Sequence, residues 1–94
     1  VIYRVRVPDD VARLIRTLHP GIKRKVRSAL ETIVAVPLTG KALKEELAGL
    51  RSFRIGKLRI VYRLVADQMV EVVAIGPRRH IYGETYRKIQ GEDG

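Results

Sequence analysis

From Arg51 to Val65 apolar and basic residues take turns, and this stretch constrains the chain more than any other. Phe53 and Ile55, then Leu58, Ile60, Tyr62 and Leu64, fall on one side, with Arg54, Arg59 and Arg63 on the other. Strict alternation predicts strands with two unlike faces. Gly56-Lys57 interrupts the pattern and reads as a tight hairpin turn, glycine supplying the positive φ that such turns need. A two-residue turn sets Ile55 opposite Leu58 and Arg54 opposite Arg59. Two arginines facing each other across a ladder repel, so the arrangement points to an anionic partner and not to fold stability. The run Met69 to Ile75 predicts a third strand, returning through Ala66-Asp67-Gln68. A tight return places Arg59 near Gly76, and Arg78 keeps the same parity two residues on. Arg54, Arg59 and Arg78 then converge on one patch from three strands, in a register that a one-residue slip would reverse.

The rest of the chain supplies the scaffold. Val1, Tyr3, Val5 and Val7 alternate with Ile2, Arg4 and Arg6, predicting an opening strand that Pro8 ends. Asp9 or Asp10 is the expected cap of a helix carrying Val11, Leu14, Ile15 and Leu18 at helical spacing. His19-Pro20-Gly21 breaks it, with no chemistry assigned to His19. A second helix runs from Pro20 or Gly21 to about Val36, burying Ile22, Val26, Ala29, Leu30 and Ile33, while Lys23, Arg24, Lys25 and Arg27 begin its outer face. So short a break predicts an antiparallel helical hairpin packed on one face of the sheet. After Pro37 a connection over residues 39–49 is expected to contain a helical turn around Ala42 to Leu47, with Leu43, Leu47 and Leu50 against the core. Ile81, Thr85 and Ile89 fit a short final helix weakened by Gly83, and Gln90 to Gly94 reads as a frayed tail. The expectation is one α+β domain over residues 1–94: a small antiparallel sheet in β-α-α-β-β-β-α order, the hairpin on one face and the functional site on the other.

Nineteen Lys and Arg stand against ten Asp and Glu, a net charge of +9. In so small a domain this points to a polyanionic partner, nucleic acid before membrane. The absence of cysteine excludes disulfides and thiolate metal sites and fits a reducing cytoplasm. No apolar run is long enough to span a membrane, and the alternating N-terminus is no signal peptide. Two distant histidines without clustered carboxylates form no metal site, and neither a phosphate-cradling glycine loop nor a Ser/His/Asp spacing is present. No metal or cofactor is therefore expected. What remains is a basic cluster of Arg51, Arg54, Lys57, Arg59, Arg63, Arg78 and Arg79, six arginines to one lysine. The guanidinium fork suits phosphate oxygens in a way a point charge does not. Lys57 and Arg63 read equally well as solvated charge. Tyr82 and Tyr86, four apart, share a helix face and could stack on a base or pass a proton; either could instead pack on the sheet. Tyr62 and Tyr3 read as core. His80, following two arginines, is a candidate base beside a bound phosphate.

Three segments carry a family likeness: Pro37 with Gly40-Lys41-Ala42-Leu43, the run Phe53 to Tyr62, and the corner Ile75-Gly76-Pro77-Arg78-Arg79-His80-Ile81-Tyr82. Together they resemble the RelE/ParE superfamily of bacterial and archaeal toxins, and within it the RelE-like mRNA interferase branch. The resemblance implies a type II toxin that cleaves messenger RNA in the ribosomal A site, in contact with 16S ribosomal RNA. It further implies cleavage without a metal and neutralisation by a cognate, RelB-like antitoxin. It assigns phosphate binding to Arg59, assigns transition-state stabilisation or leaving-group protonation to Arg78, of which the poor acidity of arginine favours the first, and puts Arg54 where relatives carry a lysine. A second lysine of the best-known members falls at or near Gly56, which leaves the general base unassigned, with His80 the remaining candidate. The base-stacking tyrosine corresponds to Tyr86 or Tyr82. Arg51, Lys57 and Arg79 are the further RNA-binding candidates. Two rivals stay open: a ParE-like DNA gyrase poison of the same fold, and a non-catalytic RNA- or ribosome-binding module.

Overall fold

The β3–β4–β5 meander forms the centre of the computed structural model, which describes residues 3–93. The elements are β1 (Arg4–Arg6), α1 (Asp9–Arg16), α2 (Pro20–Ala35), β2 (Lys41–Ala42), β3 (Leu50–Ile55), β4 (Leu58–Val65), β5 (Met69–Pro77) and α3 (Arg78–Asp93). They build a five-stranded sheet in the order β1-β5-β4-β3-β2. The hairpin pairs as its alternation predicts, Ile55 with Leu58 and Arg54 with Arg59, around a left-handed Gly56. The sheet is mixed, not wholly antiparallel: β1 runs parallel to β5, with Arg6 beside Glu71. The helical hairpin between them supplies the crossover that a parallel pair requires. The opening strand is predicted from Val1, but Val1 and Ile2 lie outside the described residues.

Both faces of the sheet are covered. On one, α1 and α2 contribute Val11, Val26, Ala29 and Ile33, which pack with Ile60, Tyr62, Val70, Val72 and Ile75. On the other, Ile81 of α3 packs with Leu50, Val61, Val73 and Ala74, with Tyr82 and Ile89 at the margin. The expected open face is therefore largely closed by α3. That helix is also longer than its glycines suggest: it has 16 residues and runs through Gly83 and Gly91, where a frayed tail is expected from Gln90. Burial of its apolar stripe overrides the intrinsic cost of glycine, about 1 kcal/mol each. Thr85 is fully buried and donates from Oγ1 to the Ile81 carbonyl at 2.7 Å, so the stripe carries no unsatisfied hydroxyl.

Other expectations are adjusted locally. Asp9 and Asp10 occupy the first turn of α1 and do not cap it; Pro8 stands at the cap position without a side-chain bond. His19 does cap α2, its Nδ1 accepting from the Gly21 N–H at 3.0 Å. The helical turn expected around 42–47 is a short strand, Lys41–Ala42, followed by a 3-10 turn at Glu45–Leu47. Leu14 and Ile22 sit at the edges of their stripes and are partly exposed.

β5 carries one extra residue. Tyr62 pairs with Val72 but Val61 pairs with Ala74, so Val73 is bulged out of the ladder. Val73 and Ala74 both face α3, and the bulge thereby reverses the parity of everything after it. The three-residue return through Ala66–Gln68, with Asp67 and Gln68 left-handed, would alone set Arg59 opposite Ile75. The bulge moves the partner on by one, to Gly76.

The loop that follows α2 is fastened from beneath. Tyr62, fully buried, donates its hydroxyl to the Pro37 carbonyl at 2.7 Å and accepts from the Gly40 N–H at 2.9 Å. Burial pushes its phenol pKa up, with the Gly40 bond opposing. Gly40 is required for this approach, since a Cβ there would lie 2.6 Å from the Tyr62 hydroxyl. Tyr62→Phe should therefore cost about 1–3 kcal/mol, the range for stranding a buried polar group, read as a lower urea midpoint. Gly40→Ala should lower the midpoint too, because the clash is with a buried ring; unchanged midpoints would refute the fastening.

Candidate functional site

Residue parity decides which side of the sheet the arginines occupy. Ser52 meets α3, and Arg54 stands two residues further along the same face of β3. Val61 packs against α3, and Arg59 stands two residues before it on β4. The helix begins only at Arg78, directly after the end of β5 that pairs with Leu58 and Arg59. The corner ahead of it is a pocket of about 250 Å³ lined by Arg54, Gly56, Lys57, Leu58, Arg59 and Arg78. The predicted convergence of Arg54, Arg59 and Arg78 is thus present in the geometry. Among the described residues no carboxylate lines the pocket. Arg54 is held there by a neutral group, its Nε donating to the Gly56 carbonyl at 3.1 Å. The positive end of the α3 dipole lies at the same corner. Such a pocket can hold a phosphate and stabilise added negative charge on it.

The remaining candidates are distributed around this corner. Arg79 and His80 are exposed in the first turn of α3 and do not line the pocket. Tyr82 is half-buried against the sheet, its hydroxyl donating to Ser52 Oγ at 3.3 Å. Tyr86, one turn on, is 42% exposed and presents its ring outward; it lies about 12 Å from Arg78 along the helix axis. Arg51 is engaged in the scaffold, Nη1 donating to the carbonyls of Leu38 at 3.1 Å and Gly40 at 2.6 Å. Arg63 is not simply solvated: its guanidinium meets Glu71 at 2.6 Å, and Arg6 meets the same carboxylate at 3.1 Å. Among the described residues no group of three or more His, Cys, Asp or Glu gathers that could hold a metal ion. No described helix is long and apolar enough to cross a membrane.

The sequence pattern of the family described as the ParE toxin of type II toxin–antitoxin systems matches residues 1–82. The chain belongs to the RelE/ParE toxin superfamily. Solved structures agree on the fold of the toxin. The RelBE2 toxin–antitoxin complex of Mycobacterium tuberculosis contains a chain 33% identical, covering 83% of this chain and all of that one, with a TM-score of 0.73. A free Escherichia coli RelE in which two arginines are replaced by alanine superposes at a TM-score of 0.75 over 94% of each chain, at 15% identity. RelE in the archaeal RelE–RelB complex of Pyrococcus horikoshii has 21% identity and a TM-score of 0.70, covering 83% of this chain and 97% of that one. No curated protein matches the toxin in sequence.

One residue that holds the toxin's site in shape carries no sequence signal. Lys88 Nζ donates to the carbonyl of the bulged Val73 at 2.8 Å and meets Asp10 Oδ2 of α1 at 2.8 Å. It therefore pins the far half of α3 to the sheet at the bulge that sets the register of Arg59. The hydrogen bond from Lys88 holds the Asp10 carboxyl below its ordinary value of 3.8, against the raising effect of burial. A carboxyl lowered on folding contributes stability above its unfolded value and loses it as pH falls through the folded one. Asp10 is half-exposed, so its share is small. Asp10→Asn should therefore cost a little stability at neutral pH, a deficit that disappears as pH falls below the ordinary carboxyl value of 3.8 and through the lowered folded one. Lys88→Ala should cost more, because the Val73 carbonyl also loses its donor. Urea unfolding across this range checks both; equal losses for the two variants would contradict the role given to Val73.

Proposed function

We propose that this toxin is a metal-independent endoribonuclease that cleaves messenger RNA in the ribosomal A site. The observation that carries the reading is the pocket of Arg54, Arg59, Lys57 and Arg78, in which like charges face each other with no described carboxylate to offset them. The ribose 2′-hydroxyl attacks the adjacent phosphorus, the bond to the 5′-oxygen breaks and that oxygen takes a proton from water, leaving a 5′-hydroxyl and a cyclic phosphate, which a further water can hydrolyse to the 3′-phosphate. Arg59 and Arg78 stabilise the phosphate oxygens as charge gathers on them. Arginine is a poor acid, so Arg78 acts electrostatically and not as a proton donor. The exposed ring of Tyr86 stacks on a base, since Tyr82 is committed to Ser52. The proton of the 2′-hydroxyl passes to a group on the exposed side of α3, where His80 stands in the first turn. Arg51 and Arg79 add to the field that draws the ribosome and its 16S RNA. A RelB-like antitoxin, as in the complexes of the relatives, is the natural neutralising partner, and the site of action is the cytoplasm.

The match to the ParE family favours a second reading, a DNA gyrase poison on the same scaffold. Primer extension on a defined mRNA, with and without ribosomes, separates them. Ribosome-dependent cuts within A-site codons are expected, and Arg59→Ala or Arg78→Ala should slow cleavage by about 10²–10³-fold, the cost of one oxyanion donor. Intact mRNA together with trapped gyrase–DNA cleavage complexes would establish the second reading instead.

A further inference from the structure

Three depressions adjoin one another around the tip of the β3–β4 hairpin. The arginine pocket shares Gly56, Lys57 and Leu58 with a second depression of about 410 Å³, walled by Leu18, Ile22, Lys25 and Ile55. The second shares Lys25 and Ile55 with a third, which continues along α2 past Arg24 and Ser28. Among the described residues, no Asp or Glu lines any of the three. Two further depressions do carry acids, Asp10 and Glu71 in one and Glu31 in the other. The result is a path that leaves the phosphate pocket, rounds the hairpin and alternates cations with apolar surface.

We propose that this path seats the nucleotides of the single-stranded RNA substrate that flank the cleaved phosphate. Lys57 and Lys25 lie on either side of the middle depression and each engages a backbone phosphate, while Leu18, Ile22 and Ile55 receive a base or ribose between them. A positively charged groove that tracks the backbone is one part of how single strands are bound without sequence readout; here aliphatic side chains, in place of aromatic platforms, face the bases. Continuity with the arginine pocket selects the occupant: a strand whose phosphate lies at Arg59 and Arg78 reaches the middle depression within its own length. The volume falls within the roughly 300–1,000 Å³ of small-ligand pockets. Ile22 and Lys25 are exposed and make no contribution to the buried core. The inference rests on the nuclease reading for the identity of the strand, but not on catalysis.

The test is fluorescence anisotropy of the full chain with 2′-O-methyl oligoribonucleotides, which lack the attacking hydroxyl, as a trimer and as an octamer. The octamer should bind the wild-type protein more tightly than the trimer. Lys25→Ala should remove most of that gain and reduce the salt dependence of octamer binding by about 0.7 in log–log slope, one phosphate contact on a single strand. Ile22→Ser should remove part of the gain with the slope unchanged, and trimer binding should be untouched in both variants. Octamer binding no tighter than the trimer, or a gain that survives both substitutions, overturns the proposal. So does displacement of the octamer by an acidic peptide that itself depends on Lys25 while the octamer does not, which would make this a protein-docking surface. Primer extension on the same samples keeps the two readings apart. Loss of cleavage in the wild type with the length dependence intact removes the nuclease and leaves the track. Cleavage with no effect of Lys25→Ala on binding removes the track and leaves the nuclease.

Discussion

The bulge at Val73 is the constraint on which the rest of the site depends. A sheet covered on both faces needs each strand to divide its side chains between two cores, and an unbroken β5 would do so with the wrong residues at its far end. By inserting one residue, the chain gives Val70 and Val72 to the α1–α2 side, Val73 and Ala74 to α3, and Ile75 back to the first. The same shift brings Gly76 beside Arg59 and starts α3 at the mouth of the arginine pocket. Lys88 then ties the helix to the bulge that positioned it. Register, helix placement and site are one feature seen at three scales.

Against this scaffold the arginine corner works in the opposite energetic direction. Glu71, on β5, sits between Arg6 and Arg63 and pairs with both across the sheet, offsetting part of their charge. At the hairpin end no described carboxylate plays that part: Arg54 faces Arg59, with Lys57 and Arg78 beside them. Cross-strand pairs of like charge are unfavourable, and functional sites commonly carry such a cost, offset by the surrounding structure. Here the offset is local. Tyr62 and Arg51 fasten the Pro37–Gly40 loop, and Ser52 receives Tyr82, so the strands bearing the arginines are held on both sides.

Much of this was legible in the chain because two-residue hairpin turns leave little freedom in register. Arg54 opposite Arg59 follows from Gly56-Lys57 alone, but Arg78 joins them only because the bulge shifts β5 by one residue; the three-residue return by itself would put Arg78 on the other face. The helical hairpin was equally legible from its spacing and from Pro20. What was not legible depends on tertiary context. A bulge has no residue signature at Val73, and the role of Lys88 exists only because of that bulge. The length of α3 was hidden by Gly83 and Gly91, whose low propensity is outweighed by burial of Ile81, Thr85 and Ile89. The parallel pairing of β1 was hidden as well, since a three-residue strand alternates in the same way whichever direction its partner runs. Arg51 and Arg54 are alike in sequence, and only the loop carbonyls within reach of Arg51 separate a scaffold residue from a pocket residue.

The central claim is that the arginine corner is held against its own repulsion for the sake of an anion. Thermal unfolding of the wild type and Arg59→Ala, each with and without a 2′-O-methyl dinucleotide, addresses it most directly. The account predicts that the variant unfolds at the same or a higher temperature than the wild type without ligand, and that the dinucleotide raises the transition of the wild type only. A variant that is markedly less stable, yet is stabilised by the dinucleotide as much as the wild type, would mean that Arg59 serves the fold and that the anion binds elsewhere.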